Sequence, residues 1–168
     1  MAKWIVGKGL NNYIAYLQSI EAVTDEAIGE AVYDMAKVVA DKVRASIEAL
    51  PAVPNAANVA TARRDGDGKT RLSEPEKQGL LDGFGVSPMQ DDGGYINVKL
   101  GFDGYNSVKT HKYRDGQPNA LIARVTESGS SYREKTPFIR PAVNAARKSA
   151  EKAGQAKIDE KIKSIKTK

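Results

Sequence analysis

The residues of this chain that could do chemistry are few, and their spacing is unfavourable. His111 is the only histidine and sits in "KTHKYR" among Lys109, Lys112 and Arg114. That crowd of cations makes it a poor general base and a poor metal ligand, so it reads as a solvated loop residue. Cysteine is absent, which removes thiol nucleophiles, disulfides and Cys-type zinc sites. Serines are plentiful, but no second histidine accompanies them to build a Ser-His-Asp arrangement. Carboxylate-only hydrolysis depends on spatial pairing and is left to the fold.

Two loop motifs resemble ligand sites and fail on their own terms. "GDGKT", Gly66 to Thr70, looks like the end of a phosphate loop, but Arg63 stands where the first glycine is required. "DGDGKTRLSE" looks like part of a calcium loop, with Asp65, Asp67, Gly68 and Glu74 at workable positions. Its first ligand position falls on Arg63, a cation, and Thr70 takes the place of an aliphatic residue. Both read as a polar, turn-rich arm. No catalytic residue, metal site or cofactor is expected.

The elements that would position any site are clearer. Trp4, Ile5 and Val6 read as a short strand or ordered arm. Tyr13, Leu17 and Ile20 suggest a short helix over 12–22, after which Thr24 caps a second, longer one, with Asp25 and Glu26 in its first turn. Its stripe is Ile28, Val32, Met35, Val39, Val43, Ile47 and Leu50, all expected to face the core, and Pro51 ends it. Residues 51–79 are poor in large apolar side chains and rich in Pro, Gly, Asp and Ala. Their length predicts an extended arm ordered by a partner.

A hairpin follows. Leu80, Phe84 and Val86 share one side of an extended run, "MQDDGG" supplies the turn, and Ile96, Val98, Leu100 and Phe102 alternate with Asn97, Lys99 and Gly101. Asn119 is placed to cap a short helix through Leu121, Ile122 and Val125, closed by Gly129.

The stretch "KTPFIRPAVNAA", from Lys135 to Ala146, reads as a shaped joint. Pro137 turns Thr136 away from helical geometry, Phe138 anchors the corner in a core, and Arg140 is available to a carboxylate. Pro141 suits the first helical position, where its missing N–H costs nothing. The helix that follows presents Ala142, Ala145, Ala146, Ser149, Ala150 and Ala153 on its inner face, bends at Gly154, and continues with a sparse Ile158, Ile162 and Ile165 stripe.

The chain has 168 residues, 28% of them charged, with a mean hydropathy of −0.48 and 7% aromatics, which suits one domain with a modest core. No apolar run is long enough for a membrane span, and "MAKWIVGKGLNNY" lacks a signal-peptide core. The net charge is +5, yet residues 132–168 alone hold 11 Lys/Arg against 4 Asp/Glu. The basic helix over 141–168 is therefore either a solvated face or a surface for phosphate or an acidic protein. Arg147, Lys148, Lys152, Lys157 and Lys161 are its candidate contacts. No helix-turn-helix, zinc or aromatic-rich basic pattern accompanies them, so nucleic-acid contact would be non-specific. The expected fold is α+β, one domain over 1–168, with an antiparallel sheet packed by the long helix and the C-terminal helix.

Four segments together, "KQGLLDGFGVSP", "INVKLGFDGYN", "PNALIARVTESGSS" and "KTPFIRPAVNAARKSA", resemble the HK97-type tail-component family of long-tailed bacteriophages. The resemblance runs in order over residues 8–165, with the 51–79 segment as a departure. It implies a non-enzymatic virion protein of the head–tail junction, of the kind described as tail-completion or neck proteins, made in the host cytoplasm. Its implied partners are copies of itself in a ring, with a hexamer expected, and the adjoining connector or adaptor, tail-terminator or tail-tube proteins. Non-specific contact with DNA in the lumen is compatible with it, and no membrane is implied. Pro137, Phe138, Arg140 and Pro141 would then form a joint at an interface. The alternative reading is a basic nucleic-acid-binding accessory protein.

Overall fold

The structure, a computed structural model, describes the backbone of residues 8–54 and 69–166, with side chains from Glu26 to Ser164 within those spans. The Trp4–Val6 segment and most of the polar arm, including Arg63, Asp65 and Asp67, lie outside the described residues. The fold is α+β. Helix α1 spans Lys8–Glu48, α2 Glu74–Gly83, α3 Asn119–Ser128 and α4 Ile139–Lys166. Between α2 and α3 lie four short strands: β1 Phe84–Val86, β2 Gln90–Asp91, β3 Ile96–Asn97 and β4 Leu100–Phe102.

The expected break at Thr24 is absent. Helix α1 runs unbroken through it, because the sequence around Thr24 holds no proline or glycine to stop a helix. A serine or threonine caps a helix only where the chain turns. Beside α1 lies α4, and this is the most extensive pairing of elements in the fold.

The apolar stripe of α1 divides in two. Near its C-terminal end Val43, Ile47 and Leu50 are buried as expected, and they join Leu72, Leu80, Phe84, Ile122, Phe138 and Ala142 in the main core. Towards its N-terminus, Ala27, Ala31 and Ala36 are buried and Ile28 is exposed. Helix α4 meets this face with Ala142, Ala146 and Ala150, all buried, whereas Ala145 and Ser149 are exposed. Alanine faces let two backbones approach closely, so the seam is built from small residues instead of the larger Ile28 and Val32. Gly154 does not interrupt α4. It is buried in the continuous helix, and a Cβ there would lie 2.6 Å from the Met35 sulfur. Glycine at this position makes room for a methionine.

The segment expected to be an arm up to residue 79 ends earlier. Ser73 caps α2: its Oγ accepts from the Glu76 N–H at 3.4 Å, and the Glu76 carboxylate accepts from the Ser73 N–H at 2.9 Å. With Pro75 in the first turn, this is a complete capping box. Leu80 therefore belongs to a helix and not to the hairpin. Val53 pairs with Ser73 in a parallel bridge, which ties the end of α1 to the start of α2.

The hairpin is antiparallel and interrupted. Phe84 faces Phe102 and Val86 faces Leu100; Gln90 then faces Asn97 and Asp91 faces Ile96. Between the two pieces the Ser87 hydroxyl accepts from the Lys99 N–H at 2.9 Å, near Pro88, which has no N–H to offer the ladder. Val98, Leu100 and Phe102 are half-buried while Lys99 and Gly101 are exposed, so the alternation holds from Val98 onward; it fails at the start of the strand, where Ile96 and Asn97 are both half-buried. Phe102 meets Phe84 in a tilted contact at 5.2 Å and Phe138 edge-on at 6.1 Å, so all three phenylalanines of the chain form one cluster.

Asn119 is the first residue of α3 but not its cap. Its side-chain amide donates to the Asp103 carbonyl at 2.8 Å and so is used to hold the preceding loop. Gly129 closes α3 at φ 74°, and its N–H donates to the Val125 carbonyl.

Candidate functional site

At the corner, the residues singled out in the sequence come together around a residue that was not. Phe138 is 1% exposed, at the point where the hairpin, α1 and α4 meet. Its carbonyl accepts from the Ser46 hydroxyl of α1 at 3.0 Å. Helix α4 starts at Ile139, so Pro141 lies two residues inside it and not at its first position. The shift has a local cause. The Glu127 carboxylate, reaching over from α3, accepts from the N–H groups of Phe138, Ile139 and Arg140 at 2.7, 2.8 and 3.1 Å. These are the unpaired donors at the start of a helix, and Pro141 adds none. The Arg140 side chain is exposed and makes no ion pair among the described residues. Its backbone meets Glu127, and its charge acts on the carboxylate from nearby.

Burial by itself would raise the Glu127 carboxyl. The three N–H donors, joined by the charge of Arg140, outweigh it and hold the group below the ordinary carboxylate value of 4.5. A depressed carboxyl stabilises the fold fully above its unfolded value, and that contribution is lost as pH falls through the folded value. Glu127→Gln should therefore cost about 0.5–2 kcal/mol at neutral pH, the cost of removing a helix cap. Parent and variant should converge as pH drops below 4.5, which urea unfolding at a series of pH values would measure. A constant gap down to strongly acidic pH would show that the charge of Glu127 is immaterial.

The basic helix divides into two parts. Lys157 pairs with Glu30 of α1 at 3.2 Å, and Lys161 pairs with Glu30 at 2.6 Å and Glu26 at 3.1 Å. Hydrogen bonds from Lys161 and then Lys157 hold Glu30 below its ordinary range, and hydrogen bonding to Glu30 raises both lysines. Two of the five candidate contacts are thus spent inside the chain. Arg147, Lys148 and Lys152 are exposed and meet no carboxylate among the described residues. Ile162 is exposed at 45%, so the far stripe of α4 is not closed by the described residues.

A second polar centre escaped the sequence reading. Arg133, in the loop before the corner, donates to Glu76 of α2 at 2.6 and 3.1 Å, and its side chain and that of Glu76 are 7% and 3% exposed. Arg133 also donates to the Arg71 carbonyl at 2.9 Å, and the Glu76 carboxylate accepts from the Ser73 hydroxyl at 3.0 Å. The pair locks the start of α2 to the loop that leads into α4. Its only local sign was the Ser73–Glu76 capping spacing. Glu127 had no local sign, because its partners lie eleven to thirteen residues away.

His111 is exposed in its loop. Among the described residues no three His, Asp or Glu side chains converge as a metal-holding group, and no helix is long and apolar enough to cross a membrane. No protein family, curated protein or solved structure gives a significant match to this chain.

Proposed function

We propose that this chain is a non-enzymatic structural subunit of the head–tail junction of a long-tailed bacteriophage, forming a homo-oligomeric ring that joins the tail to the head connector. The observation that carries the reading is a group of large apolar side chains left exposed among the described residues. Val86, Met89 and Tyr95 of the hairpin and Ile28 and Tyr33 of α1 are all exposed, Tyr95 at 71%. Met89 joins the two groups: its N–H donates to the Tyr33 hydroxyl at 2.9 Å, and its sulfur lies against Gly29. A patch of this kind marks a surface that another protein covers. The hydrogen-bonded corner at Glu127 and Phe138 supports the same reading, since it sets the direction in which α4 and its exposed cations leave the core.

Removing the gene from the genome that encodes it, and imaging the particles, tests the reading. Filled heads and finished tails that fail to join are the expected result; normal joined particles would overturn it. At the level of the molecule, Arg140→Ala should leave the unfolding free energy within the ~0.5 kcal/mol usual for a surface substitution while weakening oligomer formation, measured by light scattering. An oligomer unaffected by the change would remove Arg140 from the interface.

The nucleic-acid reading keeps one observation in its favour, the exposed Arg147, Lys148 and Lys152, which meet no carboxylate among the described residues. Three cations support weak contact with phosphate, which strengthens as salt falls. Binding of a short duplex that survives physiological salt would favour that reading over assembly.

A further inference from the structure

A cleft of about 480 Å³ opens between the turn after α1, the extended segment before α2 and the loop before α4, with Thr126 of α3 among its lining residues. Its walls are held by backbone hydrogen bonds. Val53 N–H donates to the Leu72 carbonyl at 2.9 Å, Glu134 N–H to the Thr70 carbonyl at 3.1 Å, and Thr136 N–H to the Thr126 carbonyl at 2.8 Å. Two of its lining residues carry buried donors with no acceptor among the described residues. The Thr126 hydroxyl, on a residue 1% exposed, has no partner, and neither has the Nε–H of Arg133, on a residue 6% exposed. The other two nitrogens of Arg133 make three hydrogen bonds, to the Glu76 carboxylate and the Arg71 carbonyl, so Nε is its one nitrogen without a partner among the described residues.

A buried donor without an acceptor costs free energy, and a native fold leaves few of them. Two such donors lining one cleft call for an oxygen acceptor. Arg71 pairs with Glu134 at 3.4 Å and Arg133 with Glu76, so Lys135 is the cation this cleft has beyond its ion pairs, and it favours an acceptor that is negatively charged. Leu72, Val53 and Pro51 supply apolar wall for a short carbon stem. We infer that this cleft binds a carboxylate carried on an apolar stem, its oxygens reaching the Thr126 hydroxyl and Arg133 Nε–H. Both donor atoms lie beneath the surface of the cleft, so the proposal requires the lining side chains to shift when the ligand binds. The acid can be free or the side chain of a Glu or Asp in another protein segment. The inference is independent of the assembly reading.

The test uses the full chain, nitrogen-15 labelled, with the Arg133 Nε–H resonance as the reporter. It is titrated with glutarate, with the capped peptide acetyl-Leu-Glu-Leu-amide, and with the Gln version of that peptide. A saturable shift with glutarate alone assigns the site to a free acid, and a shift with the Glu peptide alone assigns it to a protein segment. A shift with both assigns it to the carboxylate itself. No shift with either up to ~10 mM, a concentration at which even weak millimolar binding shows, overturns the proposal. An equal response to the Gln peptide overturns it too. Thr126→Val should weaken binding about 5-fold, the worth of one hydrogen bond, without lowering the melting temperature, because the hydroxyl bonds nothing in the free fold. Should that variant fold poorly, Lys135→Ala at the exposed margin should weaken binding about 3-fold, as loss of an exposed charge would. Unchanged affinity in the folded variant would show that the acid binds elsewhere.

Discussion

Phe138→Ala should lower the unfolding free energy by about 3–5 kcal/mol. The ring is 1% exposed and packs edge-on against Phe102 in the core that also holds Ile47, Leu80 and Ala142. Truncation removes the ring's burial and leaves a cavity in a core with few other aromatics to fill it. A domain is commonly stable by only about 5–15 kcal/mol, so the loss is a large fraction of the whole. Urea unfolding of parent, Phe138→Leu and Phe138→Ala gives the measurement, and leucine should recover a substantial part of the loss. If Phe138→Ala melts like its parent, the ring is no anchor and the account of the corner fails.

Glu76→Ala should cost a similar amount, about 3–5 kcal/mol, because it leaves the Arg133 guanidinium buried without its carboxylate. It also removes half of the capping box at the start of α2. The two effects separate in a double variant. Glu76→Leu with Arg133→Met takes away both charges and should regain much of the lost stability, since an apolar pair of similar volume often replaces a buried ion pair without loss. A double variant as unstable as Glu76→Ala would mean that the capping contacts, and not the ion pair, hold this centre. In that event the link between α2 and the loop into α4 would be weaker than the geometry suggests.

The two variants probe parts of the molecule that differed in how well they could be read. Phe138 stood out in the sequence because a large apolar side chain between two prolines has few places to go but inward. The pair Glu76–Arg133 did not stand out, since its members are 57 residues apart and each resembles an ordinary surface charge. The same holds for α4. Its basic character was plain, but that Lys157 and Lys161 turn back onto Glu30 and Glu26 of α1 was not, because those partners are more than a hundred residues away.

By itself the sequence determined the period of α1 from Val43 to Leu50, the glycine-rich tip of the hairpin, the alternation from Val98 to Phe102, the glycine that closes α3 and the burial of Phe138. Each of these is written in the residues themselves or within a turn or a strand of them, where helical period, pleat and turn chemistry act. Only the tertiary structure decided which end of α1 would bury alanines instead of isoleucine, that Gly154 would make room for Met35, that α4 would start at Ile139 under the carboxylate of Glu127, and which cations would be left exposed. Those outcomes depend on how closely two distant segments approach. Close approach rewards small side chains and opposite charges on both partners at once, and that requirement is a property of the pair and not of either segment alone.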